Sequence, residues 1–233
     1  MTKGVIFYEG PSMLDGKPIV AVATPATDNR KTGDMVQTWI LRRNIDPVRA
    51  VATGADRSIC GDCFHRGAPD RPRTCYVNIG QAPLAVWRAY RRGSYERGSL
   101  AGLVERLGGK PVRMGAYGDP VAVPWQSWTG IHDARLWTGY THQWRQLIAT
   151  PFRNVLMASC DNALEMAEAA AAGWRAFRVT AIGESAPAGA IECPASKGAE
   201  CASCGLCSGL QRQAAPHIFI PAHGTAKRFV GAP

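Results

Sequence analysis

The sequence lacks long hydrophobic runs. Its 233 residues contain no stretch approaching the roughly 18 uncharged apolar residues that a membrane-spanning helix needs. The first residues, MTKGVIFYEGPS, also lack the continuous apolar core of a secretory signal peptide. We therefore expect a protein that does not cross a membrane and that works in the cytoplasm.

The short motifs of common nucleotide-binding and hydrolytic enzymes are also missing. The chain has no phosphate-binding P-loop, no G-x-G-x-x-G fingerprint, no H-E-x-x-H helix and no G-x-S-x-G elbow. No segment repeats at a fixed period, and there is no low-complexity tract. The usual nucleotide-binding, metalloprotease and hydrolase interpretations therefore have no support, and nothing in the sequence identifies a substrate.

Acidic residues are scarce compared with basic ones. There are 18 Asp and Glu residues against 27 Lys and Arg, which gives a formal net charge of +9 and a pI near 9.4. This balance favours a polyanionic partner such as DNA, RNA or a nucleotide. The best candidates for phosphate contacts are the arginines of WRAYRRGSYER, which are Arg88, Arg91, Arg92 and Arg97. A helix with a solvated basic face explains the same residues.

The length and composition predict one domain over residues 1–233. A chain of 233 residues that is 46% hydrophobic can bury one substantial core. Residues 1–54 are expected to form an N-terminal hairpin and helix. The hairpin strands are the β-rich runs at 18–24 and 36–42, and Asp46-Pro47 offers the N-cap and first-turn proline of a short helix.

From residue 55 to residue 225, short apolar strands alternate with helices. PVRMGAY, RLWTGYT, RNVLMAS and RAFRVTA are strand-like, and each is followed by polar or reactive residues. This alternation predicts an α/β fold, either a parallel (β/α) barrel or a partial TIM-like barrel. In such folds the chemistry lies at the carboxyl ends of the strands.

The eight cysteines are clustered, and in a reducing compartment such clusters indicate metal ligands rather than disulfides. The first group is Cys60, Cys63 and Cys75, spaced C-x2-C-x11-C. Two thiolates separated by two residues can chelate one ion, and the third completes a three-point site. Zinc would need a fourth ligand, for which His65 is the nearest candidate, whereas an iron–sulfur cluster would leave one iron open.

The second group lies in the tail, with the spacing C-x7-C-x2-C-x2-C. Its members are Cys193, Cys201, Cys204 and Cys207. The same intervals of two residues wrap [4Fe–4S] clusters in ferredoxin loops, and four thiolates also suit structural zinc. Because four ligands saturate the metal, we expect this group to be a clamp or an auxiliary cluster rather than the working site. Cys160 fits a buried apolar role.

Polar residues at the predicted strand ends are candidates for the rest of the site. They are Asp119, Tyr140, His142, Asp161 and Asn162. Each also has a purely structural interpretation, since Asp119 and Asp161 could cap the helices that follow and His142 could be a hydrogen-bonded boundary residue. For Asp161 we favour capping. His217 and His223, which flank the last strand, are weaker candidates for a zinc site.

The order CxxC, CY, GDP, YTH, SCD and a CxxCxxC tail resembles a group of bacteriophage proteins that are distantly related to radical S-adenosylmethionine enzymes. The resemblance covers roughly residues 55–225, and Tyr117-Gly118-Asp119-Pro120 is similar to the Gly-Gly-Glu-Pro motif of those enzymes. Their usual cysteine motif is a compact C-x3-C-x2-C, so the gap of eleven residues here departs from it. The chain would then work in the host cytoplasm.

This resemblance implies a set of residue roles. Cys60, Cys63 and Cys75 would ligate a [4Fe–4S] cluster with an open iron, and the tail cysteines would hold an auxiliary cluster. Tyr117, Gly118 and Asp119 would help to hold S-adenosylmethionine, and the catalytic candidates are Asp119, His142 and Asp161.

Three functional hypotheses follow from the sequence. The first is a radical S-adenosylmethionine-like enzyme that modifies nucleic acid or a nucleotide. The second is a zinc-containing barrel related to base-exchanging transglycosylases, with Asp119 or Asp161 as the nucleophile. The third is a metal-stabilised nucleic-acid-binding protein without enzymatic activity.

Overall fold

Apolar strands form the centre of the computed structural model, which describes residues 3–26, 29–68, 70–212, 215–223 and 227. The strands are β1 (Val5–Pro11), β2 (Pro18–Thr24), β3 (Val36–Arg42), β4 (Glu96–Arg97), β5 (Val112–Tyr117), β6 (Trp137–Thr138), β7 (Tyr140–Thr141), β8 (Met157–Cys160), β9 (Ala176–Thr180), β10 (Ala190–Glu192) and β11 (His217–Pro221). The α-helices are α1 (Pro47–Ala52), α2 (Arg57–Cys60), α3 (Ala82–Arg91), α4 (Leu100–Arg106), α5 (Ala163–Ala171) and α6 (Cys201–Cys204).

Short 3-10 helices fill several of the connections. They span Phe64–Arg66, Pro120–Ala122, Trp125–Asp133, Leu147–Phe152, Pro194–Lys197 and Gly209–Arg212. No helix in the described parts of the chain has the length and apolar character required to span a membrane.

The first three strands form an antiparallel meander. β1 pairs with β2, and β2 pairs with β3 in a regular register that sets Val20 opposite Leu41. The predicted hairpin of 18–24 and 36–42 is therefore present. Both of its strands lie inside the sheet rather than at its edges, because β1 covers one side of β2 and β5 covers one side of β3.

The strands after β3 pair in parallel and lie in two sheets, one of six strands in the order β4-β1-β2-β3-β5-β6 and one of five strands in the order β10-β11-β9-β8-β7. β3, β5 and β6 are parallel neighbours, as are β7, β8, β9 and β11, with β10 added beyond β11. Gly139 alone separates β6 from β7, so one interrupted strand belongs to both sheets. A Cβ atom on Gly139 would lie 2.4 Å from Leu156 Cδ2, which explains the glycine at this crossing.

The α/β class with parallel strands is thus as predicted, but the described residues do not show a closed barrel. β4 is an edge of the six-stranded sheet and β10 is an edge of the five-stranded sheet, and no pairing between described residues joins these two strands. Strand β4 is only two residues long and β10 only three, so neither edge offers the long ladder that closure of a barrel requires.

Side chains cap the first turn of three of the six α-helices in the described residues, namely α1, α4 and α5. Asp46 accepts the Arg49 amide at the start of α1, and Ser99 accepts the Gly102 amide at the start of α4. The expectation that Asp161 caps α5 is wrong, because the Asn162 side chain accepts the Glu165 amide instead. The Asp161 carboxylate is therefore available for another role.

Backbone hydrogen bonds hold the tail cysteine loop against the rest of the fold. The Cys201 amide donates to the Lys31 carbonyl at 3.0 Å, and the Ala202 amide donates to the Thr32 carbonyl at 2.9 Å. Arg175 directly precedes β9, and its guanidinium donates to four carbonyls of the tail, those of Leu206, Gly209, Ala215 and Pro216. Arg175 thus satisfies carbonyl groups that the irregular loop leaves unpaired.

Candidate functional site

A cavity of about 220 Å³ opens at the carboxyl ends of the parallel strands. Tyr117 ends β5, His142 follows β7, and Ala222 follows β11, and all three line this cavity. Cysteines of both groups line it as well, namely Cys60, Cys63, Cys75, Cys193 and Cys201. The two cysteine groups, which are more than one hundred residues apart in sequence, therefore face one space.

A short helix and two turns assemble the first cysteine group. Helix α2 ends at Cys60, and Gly61 leaves the helix with a φ of 56°, a conformation that favours glycine. The Cys63 amide then donates to the Cys60 carbonyl at 3.2 Å. Cys75 joins them because its amide donates to the His65 carbonyl at 2.9 Å. All three thiols are half-buried.

Gln143 supports this group from the neighbouring strand end. Its side-chain amide donates to the Cys60 carbonyl at 3.2 Å. A Cβ atom on Gly61 would lie 2.4 to 2.5 Å from the Gln143 amide group, so the glycine is also needed for this close approach. Sequence reasoning missed Gln143, because a buried glutamine directly after a strand carries no motif.

Burial keeps the thiols of Cys60 and Cys75 neutral in the absence of a cation. Burial, followed by the nearby Cys63, raises the pKa of Cys60 well above its usual value. Burial also raises the pKa of Cys75, although Arg73 opposes the shift. A soft cation would reverse this balance, since thiolates are the form that binds metal.

The spacing of the sulfurs bears on what they could hold. Within the described ranges, no three cysteine sulfurs all lie within 4.8 Å of one another. A single zinc ion holds its thiolates at about 2.3 Å, which puts the sulfurs roughly 3.8 Å apart. An iron–sulfur cluster is larger than a single ion and holds its cysteines further apart, whereas three of these sulfurs would have to move together before they could hold one zinc ion.

In the tail group, Cys207 is buried, whereas the other three cysteines are half-buried. Burial raises the pKa of Cys207 to about 12, and burial raises the pKa of Cys193 and of Cys201 as well. The Gly139 amide donates to the Cys207 carbonyl at 3.0 Å. The loop is therefore attached at the interruption between β6 and β7.

Arg113 lines the cavity together with the tail cysteines Cys193 and Cys201. Its side chain is on β5, is 6% exposed and stands over the Tyr140 ring at 4.6 Å. The guanidinium donates to Thr138 Oγ1 at 3.4 Å and to the Tyr76 hydroxyl at 3.3 Å. None of the ion pairs found among the described residues gives it a carboxylate partner, so this buried cation faces phenols and thiols instead.

The Tyr117-Gly118-Asp119 turn joins β5 to its neighbours. Gly118 has a φ of 82°, and a Cβ atom there would lie 2.8 Å from Ile40 Cβ and 2.9 Å from the Ile40 carbonyl oxygen. The Tyr117 hydroxyl is buried and has no hydrogen-bond partner among the described residues. Burial, followed by the nearby Cys60, raises the pKa of Tyr117, so the phenol stays protonated beside the cavity.

The Asp119 carboxylate is occupied by structural hydrogen bonds. One oxygen accepts the Val121 amide at 3.0 Å and caps the 3-10 helix that follows. The other accepts the Thr141 hydroxyl at 3.1 Å and the His142 amide at 2.9 Å. Burial raises the pKa of Asp119, and its main effect is to hold the end of β7 in place.

His65, His142 and Asp161 meet beside the first cysteine group. Asp161 Oδ1 lies 3.3 Å from His65 Nε2 and 3.6 Å from His142 Nε2. His142 Nε2 also lies 3.7 Å from Cys63 Sγ. Burial opposes charge on His142, but Cys63 and Asp161 outweigh it and raise the pKa of His142 well above its usual value.

The remaining candidates have structural contacts. His217 Nδ1 accepts the Ala176 amide at 2.9 Å, which fixes β11 against β9. The His223 ring lies 5.4 Å from the Tyr76 ring at the cavity wall. Cys160 is buried and points its thiol at the Ala158 carbonyl. Of the surface arginines, Arg97 pairs with Glu9.

Comparison of the chain with models of protein families, with curated proteins and with solved structures finds no significant match. The interpretation of the site therefore depends on its residues and their geometry.

Proposed function

We propose that this chain is an iron–sulfur enzyme of the radical S-adenosylmethionine type, built on a partial (β/α) barrel. One observation carries the proposal. The loop after β3 brings Cys60, Cys63 and Cys75 to the same cavity as the Gly118-Asp119 turn that follows β5, the next parallel strand in the sheet. This is the relative placement that the resemblance to those enzymes implies.

The first cysteine group fits an iron–sulfur cluster on its chemistry. Three half-buried thiols face one cavity, and cysteine thiolates are the ligands that hold iron–sulfur clusters. When bound there, a reduced [4Fe–4S] cluster with an open iron supplies one electron to S-adenosylmethionine and so starts hydrogen abstraction. Gln143 and the turn at Gly61 hold the cysteine loop for this purpose.

The chain's own residues give the turn after β5 a positioning role. Gly118 has no side chain, which lets the backbone of the turn pass against Ile40 beside the cavity. Asp119 fixes the amide of His142 and so sets the position of the imidazole next to Cys63. Tyr117 offers a buried, protonated hydroxyl without a partner among the described residues, which suits a polar group of a bound cofactor.

The tail cysteines and Arg113 are suited to hold an anionic group at the other side of the cavity. An auxiliary cluster held by four thiolates carries negative charge, and the buried Arg113 guanidinium lies close enough to favour the thiolate forms of Cys193, Cys201 and Cys207. A nucleotide or nucleic acid as the substrate is supported by this buried cation and by the net charge of +9.

The two other hypotheses have less support in the geometry. A transglycosylase needs a carboxylate nucleophile, but three hydrogen bonds occupy Asp119 and two imidazoles face Asp161. A protein that only binds nucleic acid does not need a cavity lined by both cysteine groups. It would be recognised by salt-sensitive binding of DNA or RNA in the absence of any turnover.

The test is reductive cleavage of S-adenosylmethionine by anaerobically reconstituted protein. With dithionite present, we expect 5′-deoxyadenosine and methionine to form, and we expect Cys75→Ser to abolish both products. Cys160→Ala, which removes a buried cysteine outside both groups, is the matched control and should retain the activity. Equal cleavage by Cys75→Ser and the unaltered chain, or no cleavage by the reconstituted chain, would contradict the proposal.

A further inference from the structure

Three side chains next to the first cysteine group form a cluster of their own. Among the described residues, His65, His142 and Asp161 are the one set of three ligand side chains whose donor atoms all lie within 4.8 Å of one another. Their side chains are 13%, 19% and 20% exposed. They come from three different elements, which are the 3-10 helix Phe64–Arg66, the end of β7 and the end of β8.

The carboxylate at the centre of this cluster lacks a hydrogen bond. Asp161 Oδ1 is buried and has no hydrogen-bond partner among the described residues, although it lies 3.3 Å from His65 Nε2 and 3.6 Å from His142 Nε2. A buried carboxylate oxygen needs a donor or a positive charge beside it, and without a metal the two imidazoles supply this only when they are protonated. A cation between the carboxylate and the two imidazoles would satisfy it.

His65 has the supporting contact that metal-binding histidines usually have. Its Nδ1 lies 2.7 Å from the hydroxyl oxygen of Thr74, a buried residue. When Nδ1 donates its proton to this hydroxyl, Nε2 carries the lone pair and faces Asp161. Ligating histidines usually bind their second nitrogen to an oxygen in this way, which fixes the tautomer and the orientation of the ring.

We infer that His65, His142 and Asp161 hold one divalent transition-metal ion, separate from the group that the cysteines bind. Two imidazoles and one carboxylate are a ligand set typical of iron(II), manganese or zinc, and three protein ligands leave coordination positions open for water or substrate. His65 and His142 both line the cavity, so the open positions face the proposed substrate. The inference does not depend on the identity of the group at the cysteines.

The nearest thiol defines the main competing explanation. Cys63 Sγ lies 3.7 Å from His142 Nε2, so an ion in this region could be held partly by sulfur. Manganese(II) separates the two possibilities, because it prefers oxygen and nitrogen ligands and binds poorly to thiolate. It is therefore the probe of choice for the full-length chain with its cysteine-held group in place.

The experiment is a titration of the full chain with manganese(II), in which electron paramagnetic resonance counts the free ion. We expect one bound ion per chain. The near-isosteric variants His65→Gln, His142→Gln and Asp161→Asn should each weaken binding by at least about tenfold, and Thr74→Val should weaken it by a factor of up to about ten. His132→Gln and Asp133→Asn, which alter an exposed histidine and an exposed aspartate, should bind like the unaltered chain.

Cys63→Ser distinguishes the two explanations, and we expect this variant to bind manganese(II) like the unaltered chain. Circular dichroism of each variant shows whether it is folded, so that a loss of binding can be assigned to the ligand. The inference is overturned if the unaltered chain binds no manganese, or if folded ligand variants bind it as tightly as the unaltered chain. It is equally overturned if Cys63→Ser abolishes binding, since the ion would then be held by the thiolate.

Discussion

His142 Nε2 lies 3.7 Å from Cys63 Sγ. His142 directly follows strand β7, whereas Cys63 lies between helix α2 and the 3-10 helix Phe64–Arg66, on the connection from β3 to β4. The contact therefore joins two separate parts of the sheet at the cavity. Asp119 accepts a hydrogen bond from the His142 amide. Replacing this buried carboxylate should therefore shift His142 relative to Cys63.

The first prediction concerns Asp119. In Asp119→Asn, one oxygen is replaced by an amide group that cannot accept the hydrogen bonds from Val121 or from Thr141 and His142. Because these donors are buried, we expect the free energy of unfolding to fall by about 1–3 kcal/mol. Urea denaturation of the metal-free chain measures this loss.

Asp133→Asn is the matched control for this experiment. Asp133 is exposed and ends the 3-10 helix Trp125–Asp133, so its substitution should change the free energy of unfolding by less than about 0.5 kcal/mol. If Asp119→Asn were as stable as this control, the role of Asp119 in fixing the end of β7 would be wrong.

The second prediction compares two glycines with the same backbone conformation. Gly118 and Gly183 both have a φ of 82°, but a Cβ atom would collide with Ile40 at position 118 and would meet no atom within 4 Å at position 183. Gly183→Ala should cost about 1–2 kcal/mol from the left-handed conformation alone. Gly118→Ala should cost about 1–3 kcal/mol more from the clash. Equal melting temperatures for the two variants would contradict the close packing of this turn.

The third prediction concerns the pH dependence of metal loading at the tail group. Burial raises the pKa of Cys193, Cys201 and Cys207, and Arg113 opposes that shift in each case. Because metal binds the thiolate, loading releases protons and should strengthen as the pH rises. Removing the cation in Arg113→Met should raise the thiol pKa values further, so the midpoint of loading should move to higher pH.

Arg113→Lys keeps the charge and should leave the midpoint near its original position. Cadmium loading, followed by its thiolate absorption, measures these curves in a chain whose Cys60, Cys63 and Cys75 have been replaced by serine. If the pH midpoint of loading were the same with Arg113→Met as with Arg113 in place, the guanidinium would have no effect on the pKa values of the tail thiols.

The fourth prediction is that the two cysteine groups bind metal independently. Replacing Cys201 and Cys204 by serine should remove about half of the bound metal, because each group is served by its own loop. The substitution should leave cleavage of S-adenosylmethionine detectable, since Cys60, Cys63 and Cys75 remain. A double variant that loses all of its metal would indicate one shared site instead.

Much of the fold could be predicted because its signals are local. The apolar runs at 18–24 and 36–42 become β2 and β3, and the alternation of strands and helices after residue 55 becomes the parallel sheet. Helix ends were predictable where a single residue could cap, as at Asp46. At Asp161-Asn162 two adjacent residues could cap, and only the course of the backbone decides that Asn162 does so.

The parts that could not be predicted depend on distant contacts. Whether the strands close into a barrel depends on whether the edge strands pair with each other. The edge strand β4 is only two residues long, so the sequence carries no pattern from which it could be predicted. Arg113 stands within an apolar strand and would be expected to face solvent, yet it is buried beside cysteines that are about ninety residues further along the chain. The approach of Asp161 to His65 and His142 likewise depends on how three loops fold together.

The most direct test of the central claim is the metal content of the chain after anaerobic purification and reconstitution. Two [4Fe–4S] clusters would give about eight iron and eight sulfide ions per chain, and Cys60→Ser should reduce both numbers by about half. Stoichiometric zinc without iron or sulfide would contradict the proposal of an iron–sulfur enzyme.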